Sequence, residues 1–377
     1  MKVLMLLSKE VLTDDRVCRE AKALTDAGYE VTVIMWDRFG KIRLKEDVDG
    51  INIVRIQNNG LMKILPNDLF RNPFWWRAAY RKALELYKRG YKFDIVHCHD
   101  LDTLQAGVWL KRKLRTRLIY DAHEVFGFMI KGSVPEIVTK YAFNMEKRLT
   151  RFVDHIITVN EYLKEYFNSM SNKPITVVMN CKDPVSLEYI PPKNDVFTLL
   201  YVGSLHRNRF LPELIDLVGR INNVKLLIAG KPEDRKLYEM VREKSNMYSN
   251  VEFLGTVPFN EVLPLTFKSD VVVALLKPIE SFVIKNATMM NKQFEAMACG
   301  RPIICTKGTA PGWLTEKLRC GLAVEYNEES VRKAIITLRD NPKLCEELGR
   351  NALKAALERY NWENEKRKLL KVYESLV

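Results

Sequence analysis

The chain has 377 residues and a net charge of +13 at pH 7, from 60 lysines and arginines against 47 acids, which is too long for one compact core and suits two domains. Its seven cysteines include no C-x-x-C pair and several sit inside apolar runs, which excludes a disulfide scaffold and predicts reduced, buried thiols and a cytoplasmic address. No run approaches the roughly 20 apolar residues that cross a bilayer, so any membrane contact is expected to be peripheral, on the inner face.

The opening KVLMLLSKEV is too short for a signal-peptide core and lacks a small-residue cleavage site, so it reads as a first strand. Further β-rich runs at 30–35, 51–56, 94–98, 117–121, 155–159 and 175–179 alternate with helical patterns, the signature of a doubly wound parallel sheet. Ligands of such sheets bind beyond the carboxyl ends of the strands.

The string TDDRVCREAKAL predicts a helix capped by Thr13 or Asp14 and closed by Gly28. Within it Asp15 with Arg19 and Arg16 with Glu20 fall at i,i+4, the spacing of surface ion pairs. Residues 61–92 hold eight basic residues against Asp68 and Glu85, a net +6, and interleave them with Phe70, Phe74, Trp75 and Trp76. A helix over 77–89 with Tyr80, Leu84 and Tyr87 on one face leaves Arg77, Arg81 and Lys82 on the other. Basic residues among interfacial aromatics, here Trp75, Trp76, Arg77, Arg81 and Lys82, suit an anionic lipid surface; a solvated helix with its aromatics in the core has the same pattern. No nucleic-acid module accompanies the patch, and no nucleic-acid partner is expected.

FDIVHCHDLD delivers His97, His99, Asp100 and Asp102 at a strand end. A metal site, helix capping by one of the acids, and a polar cleft wall all use these residue types. LIYDAHEVFG places His123 on the next loop at the same edge, where a histidine is a candidate catalytic group or a local backbone partner.

Residues 182–196, with Pro184, Pro191 and Pro192, read as a linker, after which strand–turn–helix patterns resume. In YVGSLHRNR, Gly203 and Ser204 permit close backbone approach, and Arg207 and Arg209 supply positive charge. Lys231 ends another strand, and Val257 lies in a short loop after a third. KNATMMNKQFEAMACGRPII predicts a helix with Asn291 or Thr288 at its N-cap and Gly300 at its end, offering unpaired N–H groups to an anion while Lys292 and Glu295 project from the opening turns. A Gly-rich turn at Gly308, Pro311 and Gly312 then precedes helices over 328–341, 342–359 and 362–376.

FEAMACGRPII resembles the C-terminal helix and strand of GT-B-fold glycosyltransferases, especially the retaining family 4 enzymes, whose motif is Glu-x7-Glu. Glu295 matches the second acid, whereas Ala287 stands at the first; Asn291 and Lys292 resemble a subgroup with Asn-Lys before the helix. The D-R-V-x-R-E-A string, HCHD, DAHE, YVGSL and the loop at Val257 fall in family order over nearly the whole chain. The resemblance implies two Rossmann-like α/β domains facing a cleft: an acceptor domain at 1–182, a linker at 183–196, a nucleotide-sugar domain at 197–360, and a last helix at 361–377 crossing back to the first. It implies His123 near the transferring carbon of the donor, Asp15, Arg16, His99 and Asp100 on the acceptor side, and Gly203, Ser204, Arg207, Arg209, Lys231, Val257, Asn291, Lys292 and Glu295 around the nucleotide diphosphate. Family enzymes usually have Arg at the Ser204 position. The expected activity is metal-independent, cofactor-free retaining transfer of a hexose-type sugar from a nucleotide-diphosphate sugar to a glycan or lipid-linked acceptor; a non-catalytic nucleotide-sugar binder and a sugar-nucleotide 2-epimerase share the features.

Overall fold

The computed structural model describes residues 1–10, 14–38, 40, 43–65, 68–132, 134–231, 234–278 and 290–376. It divides into two compact units, Met1–Met179 with Lys366–Val377, and Asn180–Glu365. The segment 180–196 therefore belongs with the second unit, and the last helix, Trp362–Glu374, is shared out between the two.

In the first unit, β1 (Lys2–Leu7), β2 (Glu30–Asp37), β3 (Lys45–Val48), β4 (Ile51–Gln57), β5 (Ile95–His99), β6 (Arg117–Ala122), β7 (His155–Thr158) and β8 (Ile175–Val177) form a sheet in the order β3-β4-β2-β1-β5-β6-β7-β8. All neighbours are parallel except β3, which runs antiparallel to β4 at the edge. The sequence reading missed β3 because three of the four residues of KEDV are charged, as befits an edge strand whose side chains stay half exposed or exposed. Central strands such as β1 and β5 are buried on both faces, as parallel strands between helix layers must be.

The helix Asp14 caps spans Asp15–Asp26; the Asp14 carboxylate accepts from the Val17 N–H at 3.1 Å. Thr13, the other candidate cap, lies outside the described residues. The basic, aromatic helix runs Asp68–Lys88, longer than predicted, with Pro73 inside it. Its inward stripe is Trp75, Ala79, Ala83 and Leu86, not Tyr80, Leu84 and Tyr87. Two alanines, neutral in a hydrophobicity count, let the helix lie close, and Trp75 stacks on Trp36 at 5.5 Å. Trp75 is fully buried, so it cannot touch a lipid surface. Trp76 is half-buried and donates its indole N–H to the Asp102 carbonyl at 2.6 Å.

In the second unit, β9 (Phe197–Val202), β10 (Val224–Ala229), β11 (Val251–Gly255), β12 (Val271–Ala274), β13 (Ile303–Thr306) and β14 (Gly321–Val324) form a fully parallel sheet in the order β11-β10-β9-β12-β13-β14. The expected turn at Pro311 and Gly312 is a helix, Ala310–Leu318. Proline is compatible with a helix's first turn, where its missing N–H would be unpaired, and Thr309 caps by accepting from the Gly312 N–H at 3.2 Å. Arg301, 1 % exposed, donates to the carbonyls of Phe267 and Ile190, pinning the linker segment to the unit.

Candidate functional site

At the carboxyl ends of β5 and β6 a buried polar cluster forms. Arg16 donates Nε to Asp121 Oδ2 at 3.2 Å and Nη2 to Asp121 Oδ1 at 3.0 Å, a bidentate pair, and Nη1 to the Val178 carbonyl at 2.7 Å. Arg16 and Glu20, 3.0 Å apart, are 5 % and 0 % exposed at the side chain. The predicted surface pair is therefore a buried one, drawn in by a carboxylate 105 residues away. Asp15 and Arg19 do form a partly exposed pair at 2.7 Å.

His97 and His99, on neighbouring inward positions of β5, stack at 4.3 Å and are fully buried. Burial holds both below the usual histidine range, His99 at about 3, so both are neutral. His99 and Arg16, expected on the acceptor side, are both buried, at 0 % and 5 % exposure. His97 Nδ1 lies 2.6 Å from the Tyr373 hydroxyl.

His123 is half-buried and shared between two carboxylates: Nε2 is 3.1 Å from Asp121 Oδ2, and Nδ1 is 3.4 Å from Asp100 Oδ2. Burial pulls its pKa down, but Asp100 and then Asp121 outweigh that and push it up to about 9. With both nitrogens turned to carboxylates, the ring is an imidazolium and two N–H donors. Asp100 holds this geometry in a strained backbone, φ 62°, and its Oδ1 accepts the His123 N–H at 3.0 Å. It precedes the helix Leu101–Leu114 without capping it through its side chain, and Asp102 instead accepts from the Ser8 hydroxyl. A strained non-glycine residue fixed on all sides is typical of functional loops.

Glu20, His97, His99 and Asp121 bring potential metal-ligand atoms within 4.8 Å of one another. Arg16 already occupies both Asp121 oxygens, so a divalent ion there would sit against a fixed cation. Burial and Asp121 hold the Glu20 carboxyl above its usual range. Charge then balances locally: Arg16 and His123 against Asp121 and Asp100.

The second unit carries a cavity of about 340 Å³ whose lining includes Gly203, Ser204, Arg209, Asn291, Lys292 and Glu295. The helix beside it is Asn291–Ala298, with Met290 rather than Asn291 at the N-cap and no side-chain cap; Thr288 and Ala287 lie outside the described residues. Its first N–H groups are therefore not satisfied by a capping side chain. Gln293 anchors the helix by donating to the Pro311 carbonyl and the Thr315 hydroxyl, both at 3.0 Å. The strand ends converge tightly: Gly203 N–H donates to the Ala229 carbonyl at 2.9 Å, and a Cβ at Gly230 would come 2.3 Å from the Gly203 carbonyl. Only glycine fits there.

Lys292 is 7 % exposed, with Nζ 3.8 Å from the centroid of the Tyr201 ring. Arg209 is half-buried, directs Nη1 to the Met290 sulfur at 3.6 Å, and leaves Nε without an acceptor. Arg207, in the three-residue turn Arg207–Arg209, is outside the cavity: it is exposed and paired with Asp234 at 3.2 Å. Lys231 and Val257 also stand apart from the lining, Lys231 being exposed and Val257 packing beside Leu200, Val202 and Val262.

On the outer side of the first unit, a hollow of about 480 Å³ is lined by Leu61, Met62, Phe74, Arg77, Arg81 and Lys82 among others. Leu61, Ile64 and Phe70 are exposed close by in sequence; Lys82 is paired with Glu85 at 2.7 Å.

Residues 16–185 match the model of Glycosyltransferase Family 4, and residues 196–341 match that of Glycosyl transferases group 1. An uncharacterized glycosyltransferase of Methanocaldococcus jannaschii is 26 % identical over 94 % of this chain and 91 % of its own. Among solved structures, sucrose-phosphate synthase from Thermosynechococcus elongatus superposes with a TM-score of 0.78 at 19 % identity, covering 100 % of this chain and 99 % of its own. Anabaena HepE in complex with UDP-glucose superposes at 0.70 and 15 % identity, with 100 % of both chains covered.

Proposed function

The chain belongs to the family 4-like glycosyltransferases of the GT-B fold, and from that premise we propose that it moves a hexose-type sugar, with retention and without a metal, from a nucleotide-diphosphate sugar to a glycan or lipid-linked acceptor. The observation that carries the reading is the cavity in which Arg209, Lys292, Glu295 and an uncapped helix N-terminus converge. Cations and N–H groups bind a diphosphate, and a carboxylate accepts from ribose hydroxyls. The likeness to a protein solved with UDP-glucose supports a uridine donor.

The chemistry asks for charge rather than a protein nucleophile. The bond between anomeric carbon and diphosphate oxygen breaks, the acceptor oxygen bonds on the same face, and its proton passes to the departing phosphate. Negative charge builds on the leaving group, where Arg209 and the helix N-terminus stabilise it. His123, as an imidazolium, has the sign to assist and not the lone pair of a base.

Calorimetry with UDP-glucose tests the donor site: Glu295→Ala is expected to weaken binding by about 1.5 to 3 kcal/mol, and unchanged affinity would overturn the assignment. His123→Ala is expected to lower kcat far more than donor affinity; equal losses would remove its role. Turnover is expected to survive EDTA.

For the acceptor, Arg77 and Arg81 lining one hollow with exposed Leu61, and exposed Ile64 and Phe70 close by in sequence, support an anionic lipid surface, with these apolar residues taking the part first expected of Trp75. Replacing Arg77 and Arg81 with Ser should release the protein from anionic vesicles, since each basic residue contributes about 1 kcal/mol there. Failure of the wild type to float with such vesicles at low salt would assign it a soluble glycan acceptor.

A further inference from the structure

Lys292 is poorly explained as a structural residue. It is 7 % exposed, its Nζ lies over the Tyr201 ring, and among the described residues it forms no hydrogen bond or ion pair with a carboxylate or carbonyl. An amine buried on an aromatic ring without an acceptor is costly, and methionine would fill the volume without that cost. The chain also keeps room for it: Gly203 has φ +137°, and a Cβ there would come 3.2 Å from Nζ. The amine stands at the wall of the 340 Å³ cavity with Arg209 and Glu295.

Resting on the donor reading above, we propose that Lys292 is a proton-linked phosphate ligand: its amine takes a proton from solvent and hydrogen-bonds to the diphosphate as the nucleotide sugar enters, so that donor binding is coupled to proton uptake.

The charged and titratable groups that face it are Arg209 from the turn after β9, Tyr201 from β9 and Glu295 from its own helix. Burial, and then Arg209, bring the amine down to about 7; Glu295 opposes them and is outweighed. A diphosphate beside the amine supplies a countercharge that restores the ammonium. The linkage has a definite sign. The bound-state pKa is raised above the free one, so the contribution to affinity is fully present below pH 7 and is lost as pH rises through the bound value.

The experiment is titration calorimetry with UDP-glucose, which has no group of its own titrating near neutrality, at pH 7.5 in two buffers of different ionisation enthalpy. Wild type is expected to take up roughly half a proton or more per ligand. Lys292→Met is expected to lose that uptake and bind about 10- to 100-fold more weakly, while Lys292→Arg, permanently charged, binds without uptake. Thermal melting of each variant checks that it is folded. Binding of UDP-glucose by wild type without proton uptake, or uptake that persists in a folded Lys292→Met protein, overturns the inference and leaves the donor reading standing. Absence of any nucleotide-sugar binding overturns both.

Discussion

Arg16 and Asp121 form a buried bidentate ion pair in the first unit, so losing either partner is costly. Arg16→Met would take from Asp121 its bidentate partner and leave the His123 imidazolium as its remaining countercharge, a loss of up to about 3 to 5 kcal/mol, read as a lower denaturation midpoint. Asp121→Asn should be milder for the fold, because the amide keeps the shape and Glu20, 3.0 Å from Arg16, can ionise to balance the guanidinium, but it takes one carboxylate from His123. The falling limb of a rate–pH profile should then move to lower pH. In the wild type the His123 contribution to stability is fully present below its unfolded pKa of about 6.5 and is lost as pH rises through about 9; a midpoint unchanged between pH 6 and pH 9.5 would contradict the imidazolium. The sequence pointed to His123 through its loop position. It did not show Arg16 as a buried residue, because the i,i+4 pattern with Glu20 is the same on a surface helix and its main partner lies 105 residues on. Lys292 could be suspected for its place on the helix, but its perch on Tyr201 depends on a strand that sequence spacing does not align with it.

Among the elements, strands were easiest to read and helix faces hardest. Runs such as VLMLL announce a buried parallel strand, whereas the stripe Trp75, Ala79, Ala83 and Leu86 is half alanine and yields to the louder Tyr80, Leu84 and Tyr87. The helix Ala310–Leu318 was hidden by Pro311 and Gly312, which mark turns everywhere except a first helical turn. Small residues also set how closely layers approach. The helix Leu101–Leu114 lies against β5 and β6 at Gly107, where a Cβ would come 2.2 Å from Cys98 Sγ and 2.9 Å from a Leu118 methyl. Gly107→Ala should destabilise by about 1 to 3 kcal/mol through overpacking, despite alanine's better helix propensity. Adding Cys98→Ala, which empties the nearer of the two obstructing positions, should recover part of the loss; additive losses in the double variant would show that the Cys98 contact is not the cause.

The whole molecule is built from one continuous unit and one interrupted unit. The first is not complete at Met179: Leu369, Val372 and Tyr373 are buried in it, with Tyr373 edge-on to Tyr29 at 5.5 Å and bonded to His97. A fragment of residues 1–179 should therefore melt well below the same unit in the full chain, and a peptide of residues 360–377 added in trans should raise its melting temperature. No response to the peptide would show that those side chains contribute little. The second unit, residues 180–365, is contiguous and should fold alone. On the ribosome this order matters. After Met179 has been added, the 186 residues of the second unit must be made before Tyr373 exists, about 10 to 40 s at bacterial-to-eukaryotic elongation rates of about 5 to 20 residues per second. Throughout that interval the nascent first unit has an open seam at His97, so the stage of synthesis most exposed to aggregation or chaperone capture is its middle, while the second half of the chain is being made.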